Sequence, residues 1–375
     1  MRALRSVSCK LEAAVVSGGG SGTQTRPEGN GVNRPVAVVA VVAGVVYGAV
    51  GEAWSHELYE AAVVTLAYVM MALGLNVVVG FAGLLDLGYV AFFALGAFAA
   101  AWLMSTQFAD QSVHIGVSET VRRLPGIHVN FFLVIFLAAG FAGFWGALLR
   151  APALRLRGDH LAVVTLALGQ IVPELFERST DLSNGPRGIF PIDRPWIPVP
   201  GLEHVTRHEI RPLFFIALGM TVAVAVVTTR LRTTRIGRAW RAVREDETVA
   251  ACSGVPLART KLWAYAISAA IGGFAGAFLA VLNSIVNVDQ FGFGFSIFIL
   301  CMVVLGGAGG ISGVIAAAVG ISLGTRFLLP ELHIASQRLG VDVNLTLLSS
   351  ALFGVCIVFV TLLRTDAALA RALRP

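Results

Sequence analysis

The chain has 375 residues, of which 56% are hydrophobic and only 13% are charged. This is too little polar surface to cover a water-soluble globule, so the lipid bilayer is expected to be its solvent. A net charge of +6 could suggest nucleic-acid binding, but in a membrane protein an excess of basic residues reports topology, and no nucleic acid is expected as a partner.

The fold class follows from that solvent. Lipid offers no hydrogen bonds to exposed backbone, so a spanning segment must be a helix or part of a closed barrel. The long apolar runs of this chain lack the period-2 alternation of barrel strands. The sequence therefore predicts an all-α fold, a polytopic transmembrane helical bundle.

Residues 1–34 precede the apolar part of the chain. They are basic, contain a glycine-rich run at 18–22 and have no long apolar stretch, which is typical of a disordered cytosolic extension. Residues 35–365 are predicted to form the transmembrane domain, with about ten spans and a range of roughly eight to ten. The expected spans are 35–50, 60–80, 88–104, 131–149, 160–176, 212–229, 263–283, 294–310, 312–329 and 345–363.

The orientation of the spans is predicted from the basic residues. Lys and Arg are concentrated in 1–34, 150–157, 230–261 and 364–374. Cytoplasmic loops carry an excess of these residues, so both termini are expected in the cytoplasm, with 366–375 as a cytosolic tail. Segments 105–130 and 177–211 then become the periplasmic loops.

Enzyme signatures are missing from the sequence. Neither of the two lysines, Lys10 and Lys261, ends the glycine-rich loop that cradles a nucleotide phosphate. The chain also lacks the HExxH and GxSxG motifs and clustered Cys and His ligands. We therefore expect no catalytic residue, no metal site and no cofactor of its own, and we assign ATP and Mg²⁺ to partner subunits.

Two glycine-rich stretches interrupt the apolar runs. Residues 74–88 read GLNVVVGFAGLLDLG, with Asn76 and Asp86 near the ends of the turn, and 302–315 read MVVLGGAGGISGVI, with Gly306 and Gly307 at the centre. Unwound backbone at membrane depth is tolerated only where it is buried or lines a cavity. Asn76, Gly306 and Gly307 are thus candidates for the translocation path. Asp86 is a candidate too, although an interfacial or paired role is favoured for it.

Thr165 and Gln170 are uncharged polar residues inside the predicted span 160–176. Such groups either hydrogen-bond a neighbouring helix or line a polar path, and the sequence favours neither role over the other.

Residues 237–254 are predicted to form an amphipathic helix on the cytoplasmic surface. Trp240, Val243 and Ala250 share one face and charged residues surround it, while Gly254 and Pro256 supply the stop. On the residues alone, a helix lying on anionic lipid is as compatible with this pattern as a helix that docks on a protein partner.

Several of these stretches, in order, resemble the LivM-type permeases of bacterial ATP-binding-cassette importers for branched-chain amino acids. The resemblance covers about residues 60–330 and departs from the family at Gln170, where an acid is common, and at Ala308, where Met is frequent. Its motifs are 74–88 continued by YVAFFALGAF, RLRGDHLAVVTLALGQIV (155–172), LSNGPRGI (182–189), GRAWRAVREDETVAACSGV (237–255) and MVVLGGAGGISGVI (302–315).

The resemblance implies a permease subunit that forms the path for Leu, Ile and Val across the bacterial inner membrane. It also implies a heterodimer with a second permease subunit, two cytoplasmic ATPase subunits, and a periplasmic amino-acid-binding protein on loops 105–130 and 177–211. Segment 230–262 would be the coupling segment that docks on the ATPase, through Trp240, Arg244, Glu245, Asp246, Glu247 and Gly254. A permease for urea or short amides is the nearest alternative, and an ion-coupled secondary transporter is a second one.

Overall fold

The computed structural model describes residues 56–109, 112–117, 121, 125–155, 159–195 and 210–328, and most of them are helical. The α-helices are α1 (His56–Asn76), α2 (Val90–Leu103), α3 (Phe131–Arg150), α4 (Asp159–Arg178), α5 (Thr180–Ser183), α6 (Ile210–Thr233), α7 (Arg235–Glu245), α8 (Glu247–Cys252), α9 (Leu257–Asn283), α10 (Phe293–Gly306) and α11 (Ile311–Leu323). Two π-helices, π1 (Val77–Phe81) and π2 (Gly324–Leu328), extend α1 and α11.

The described helices overlap eight of the predicted spans. The predicted spans 35–50 and 345–363, the extension 1–34 and the tail 366–375 lie outside the described residues. Within the described part of the chain, five helices are long and apolar enough to cross a membrane, namely α1 with π1, α3, α4, α6 and α9. Helices α2 and α10 have 14 residues each. A helix of that length extends only about 21 Å, less than the hydrocarbon thickness.

Burial divides these helices into central and peripheral ones. Helix α1 with π1 is almost wholly covered, since it packs against α6, α9 and α11. Helix α9 packs along α2 and α3 and is largely buried as well. Helices α3 and α6 present large apolar side chains outwards, including Phe136, Phe144 and Phe215. Such faces suit contact with lipid.

A small β-sheet contradicts the prediction that the chain is all-α. Strands β1 (Met104–Ser105), β2 (Ser112–Ile115) and β3 (Gly126–Val129) form a sheet in the order β1-β3-β2. Strand β3 pairs antiparallel with β1 and parallel with β2. Strands of two to four residues are too short to show a period-2 pattern, and their pairing depends on contacts between distant segments.

The sheet is tied to the segment that follows α5. Ser105 forms an isolated bridge with Ile192, and the backbone N–H of Asp193 donates to the carbonyl of Met104 at 2.8 Å. His128 on β3 hydrogen-bonds the carboxylate of Asp193 through Nδ1. Burial raises the pKa of Asp193, and the hydrogen bond to His128 opposes this rise. The two predicted periplasmic loops are thus joined at one end of the helical core.

Candidate translocation path and coupling helices

The connection between π1 and α2 is held by a buried ion pair. Arg150, the last residue of α3, donates from Nη2 to Oδ1 of Asp86 at 2.7 Å, and the N–H of Gly88 donates to the same oxygen at 3.0 Å. Both charged side chains are fully buried. The guanidinium group also lies over the rings of Phe92 and Tyr265, at 5.0 and 5.5 Å from their centroids. Asp86 is therefore a paired residue in this structure, which is one of the two roles that the sequence favoured for it.

Thr165 holds the same connection from α4. Its hydroxyl accepts a hydrogen bond from the N–H of Leu87 at 3.2 Å, while Ser296 on α10 donates to the carbonyl of Leu87 at 2.7 Å. The backbone at Gly88 lies so close to α4 that a Cβ there would be 1.9 Å from the carbonyl oxygen of Thr165. Asp86 and Thr165 thus fix one short segment between α3, α4 and α10.

The second glycine-rich stretch interrupts the helical backbone between α10 and α11. Gly307 and Gly309 have φ angles of +89° and +92°, a conformation that favours glycine. The N–H of Gly309 donates to Oδ1 of Asn76 at 2.8 Å. Asn76 is the last residue of α1 before π1 begins, so its side chain joins the two backbone breaks.

The close approach of these breaks requires glycine on π1 as well. A Cβ on Gly80 would lie 2.0 Å from Oδ1 of Asn76 and 2.4 Å from the backbone N of Gly309. Gly306 packs equally tightly against Val314 on α11. The structure therefore places Asn76 against Gly309, in the same stretch as Gly306 and Gly307, and it places Asp86 and Thr165 around the connection that follows π1.

Gln170 is not part of either group. It lies just past the midpoint of the 20-residue α4, on the exposed face of that helix. Glu174 and Arg178 continue this face at four-residue spacing and pair with each other at 2.7 Å. Two charged groups and an amide thus lie on the outer surface of a helix that is long enough to span the membrane.

The predicted coupling helix is two helices. Asp246 has an extended backbone, with φ −157° and ψ 116°, and separates α7 from α8. Its carboxylate accepts hydrogen bonds from the N–H groups of Thr248 and Val249 at 2.7 and 3.0 Å, which is the geometry of an N-cap. The prediction of one continuous helix over 237–254 was wrong because Asp246 starts a second helix.

The apolar face of these helices is buried within the chain itself, so the expectation that Trp240 contacts the ATPase was wrong. Trp240, Val243 and Ala250 are all covered by the chain itself. The indole N–H of Trp240 donates to the carbonyl of Thr260 on α9 at 2.8 Å. Glu247 forms an ion pair of 2.7 Å with the buried Lys261, also on α9. Trp240 and Glu247 thus attach the coupling segment to α9.

The remaining predicted coupling residues lie on the outside. Arg244, Glu245 and Asp246 are exposed. Gly254, with φ +85°, follows α8 and allows the turn towards α9. Arg150 and Lys261, which hold Asp86 and Glu247, were not among the predicted site residues. The signal for both was their position, since each lies at one end of its basic segment, beside a predicted span.

The residues of this site lie within a stretch shared with known proteins. Residues 58–361 match the family described as "Branched-chain amino acid transport system / permease component". The chain belongs to this family. By the description of the family, its members are permease components of a transport system. Five of the chain's described helices are each long and apolar enough to cross a membrane.

Individual members of the family are similar to much of the chain. The high-affinity branched-chain amino acid transport system permease protein LivM of Escherichia coli (strain K12) is 36% identical over 283 residues, and the protein of the same name from Salmonella typhimurium is 37% identical over 284 residues. Each alignment covers 71% of this chain, which spans 62% of the length of either relative.

An archaeal protein is more distant. The probable branched-chain amino acid transport permease protein LivM of Methanocaldococcus jannaschii is 24% identical over 318 residues, which are 78% of this chain and 87% of that protein. No solved structure matches the chain.

Proposed function

We propose that this chain is the permease subunit of an ATP-binding-cassette importer and that it forms the path for Leu, Ile and Val across the inner membrane. The observation that supports this most directly is the family match over 58–361, which includes both backbone breaks and the coupling helices. Hydrolysis of ATP would belong to two cytoplasmic ATPase subunits, and a second, related permease subunit would complete the pore.

The proposed topology has eight to ten spans and both termini in the cytoplasm. In this orientation α7 and α8 lie on the cytoplasmic side. The sheet and residues 189–193 then face the periplasm, where an amino-acid-binding protein would dock on 105–130 and 177–211. Charge distribution supports this orientation, since α7 alone carries Arg235, Arg238, Arg241 and Arg244.

We place the path along the exposed face of α4, between this subunit and its partner. An amino acid is a zwitterion and needs a polar, shielded route through hydrocarbon. Charged side chains inside a span avoid lipid and face a protein partner or a water-filled cavity. On α4 the exposed Gln170 and Glu174 lie among apolar side chains such as Ile171, whereas the outer faces of α3 and α6 are apolar.

The buried candidates would act on the path by holding its wall. Asn76 holds Gly309 in the stretch that contains Gly306 and Gly307, and Asp86 and Thr165 hold the adjacent connection. Interrupted helices of this kind form the substrate sites of many membrane transporters. We propose that these five residues line the path when the breaks separate.

The exposed part of α7 and α8 would dock on the ATPase. Glu245 and Asp246 are exposed and would meet basic groups of the partner. Burial of the Trp240 face within the chain leaves a mainly charged outer surface, so lipid headgroups are the other available partner.

Uptake of radiolabelled leucine tests the proposal, in cells that lack this gene and in the complemented strain. We expect leucine uptake to fall in the deletion strain and to return on complementation, while glutamate uptake stays unchanged. Loss of urea uptake alone would assign the chain to the urea and short-amide permeases. Leucine uptake that persists without ATP but collapses with the ion gradient would indicate a secondary transporter.

A further inference from the structure

The side chain of Arg244 leaves the cytoplasmic helix α7 and reaches the end of π1. Its Nη1 donates a hydrogen bond to the carbonyl oxygen of Gly80. The aliphatic part of the side chain covers the turn that follows, since a Cβ on Gly83 would lie 2.6 Å from Cγ of Arg244. Arg244 is thus a contact between the coupling segment and the most deeply buried membrane helix.

Helix geometry explains why a cation binds at this point. The last carbonyl groups of a helix have no partner within the helix, and they form the negative end of its dipole. Helix α1 with π1 ends at Phe81, so the carbonyl of Gly80 belongs to this group. An arginine that hydrogen-bonds such a carbonyl satisfies it and complements the dipole.

The same guanidinium group adjoins the second backbone break. A Cβ on Gly309 would lie 2.8 Å from Nη1 of Arg244 and 3.1 Å from the carbonyl oxygen of Gly80. Gly309 is in turn held by the side chain of Asn76. One side chain of the coupling segment therefore touches π1 and the 307–310 break, the two places where the membrane helices are interrupted.

We propose that Arg244 is the positioning residue through which movement of α7 reaches these two breaks. Trp240 and Lys261 fix α7 and α8 to α9, so the coupling segment moves together with that helix. Arg244 is attached on the other side, to π1 and the 307–310 break. A displacement of α7 must then either move π1 and the 307–310 stretch with it or break the hydrogen bond between Arg244 and the carbonyl of Gly80. The inference rests on the proposed function, because it needs an ATPase that moves α7.

The test uses the whole transporter in proteoliposomes, with its partner permease, ATPase subunits and binding protein. The variants are Arg244→Gln, Arg244→Lys and the matched control Arg241→Gln, which removes the same charge from an exposed site on the same helix. We measure leucine imported per ATP hydrolysed, basal ATP hydrolysis and the amount of assembled complex.

For Arg244→Gln we expect the import per ATP to fall by about ten-fold or more, the effect of losing one hydrogen bond from a charged group, with basal hydrolysis within about two-fold of wild type. Arg244→Lys keeps the charge and donor N–H groups but lacks the planar, longer guanidinium group, so a loss of roughly two- to five-fold is expected. Arg241 lies on the same outer surface of α7, so a weaker contact with the ATPase would appear in both Gln variants, and the import per ATP should equal the wild-type ratio only in Arg241→Gln.

Two results would overturn the inference. An unchanged ratio in Arg244→Gln shows that the contact transmits nothing, and an equal loss in Arg241→Gln shows that the effect is surface charge at the ATPase. Should Arg244→Gln fail to assemble, Arg244→Lys decides, since a reduced ratio at wild-type assembly supports the inference and an unchanged one rejects it. Wild-type vesicles that import no leucine would reject the proposed function itself, whereas normal import in wild type and Arg244→Gln alike rejects only the role of Arg244.

Discussion

Asp86 and Arg150 place two opposite charges in the interior of the helical core. Removal of an ion from water costs several kcal/mol, and the attraction between the partners offsets this only while both are present. Asp86 Oδ2 and two nitrogens of Arg150, Nε and Nη1, find no hydrogen-bond partner in the part of the chain that the structure describes. The pair therefore positions the connection after π1 at a considerable electrostatic cost.

We expect Asp86→Ala and Arg150→Met each to lower the free energy of unfolding by about 3–5 kcal/mol, because either change leaves the other charge buried and unpaired. The double variant should lose clearly less than the sum of the two, since it buries no charge. Thermal unfolding of the purified protein in detergent measures all three. A double variant as unstable as the sum would show that the residues act independently.

The sequence could show that Asp86 was unusual but not which residue pairs with it. Asp86 and Arg150 are 64 residues apart, and only the packing of α3 against α2 and α9 brings them together. Asn76 and Gly309 are separated by 233 residues, so their hydrogen bond could not be predicted from the sequence either. Residue type indicated a polar site inside the core, whereas the partners depend on the tertiary fold.

At the level of elements, apolar runs located the helices well and their ends less well. The predicted span 60–80 coincides with α1 and π1, but nothing local in the sequence marks the change to π-helix after Asn76. Helix α9 begins at Leu257, six residues before the predicted span, because its first turns lie against α7 and carry polar residues. Hydropathy detects the part of a helix that lies in the lipid, and it does not detect polar turns that extend the helix beyond the lipid.

The junction between α7 and α8 gives a prediction at this level. We expect Asp246→Ala to destabilise α8 by about 0.5–2 kcal/mol, because the N–H groups of Thr248 and Val249 lose their acceptor. Hydrogen exchange of the amides of 247–252 measures this as faster exchange. Asp246→Asn is the control, since it keeps an acceptor and removes the charge; equal exchange in both variants would mean that charge, and not capping, matters.

For the whole molecule, the outer surface has two kinds of face. Helices α3 and α6 expose large apolar side chains such as Phe136 and Phe215, whereas α4 exposes Gln170 and Glu174 beside the apolar Ile171. Composition predicted a membrane protein but could not tell which side of each helix faces outwards, because almost every span is apolar on all sides. Burial of α1, α9 and one side of α4 within the chain separates these faces.

Cysteine labelling distinguishes the two faces in the assembled transporter. Single cysteines at Ala167 and Gln170 on α4 should react with a membrane-impermeant thiol reagent about ten-fold faster than cysteines at Phe136 and Phe144, because thiolate forms in water and not in lipid. Bound leucine should slow the reaction on α4. The single cysteines are introduced into a variant in which the four native cysteines have been replaced. Equal, slow labelling of both helices would exclude a water-filled path along α4.

The polar face of α4 also affects how long a single subunit persists in a cell. Helix α4 is the least apolar of the five candidate spans. In the proposed dimer its outer face meets water and the partner subunit, but a lone subunit would expose the same face to lipid, where carboxylate and guanidinium groups are poorly accommodated. A subunit made without its partner would therefore be less stable in the bilayer, and membrane proteases would degrade it faster. Its abundance would follow the supply of the second permease chain.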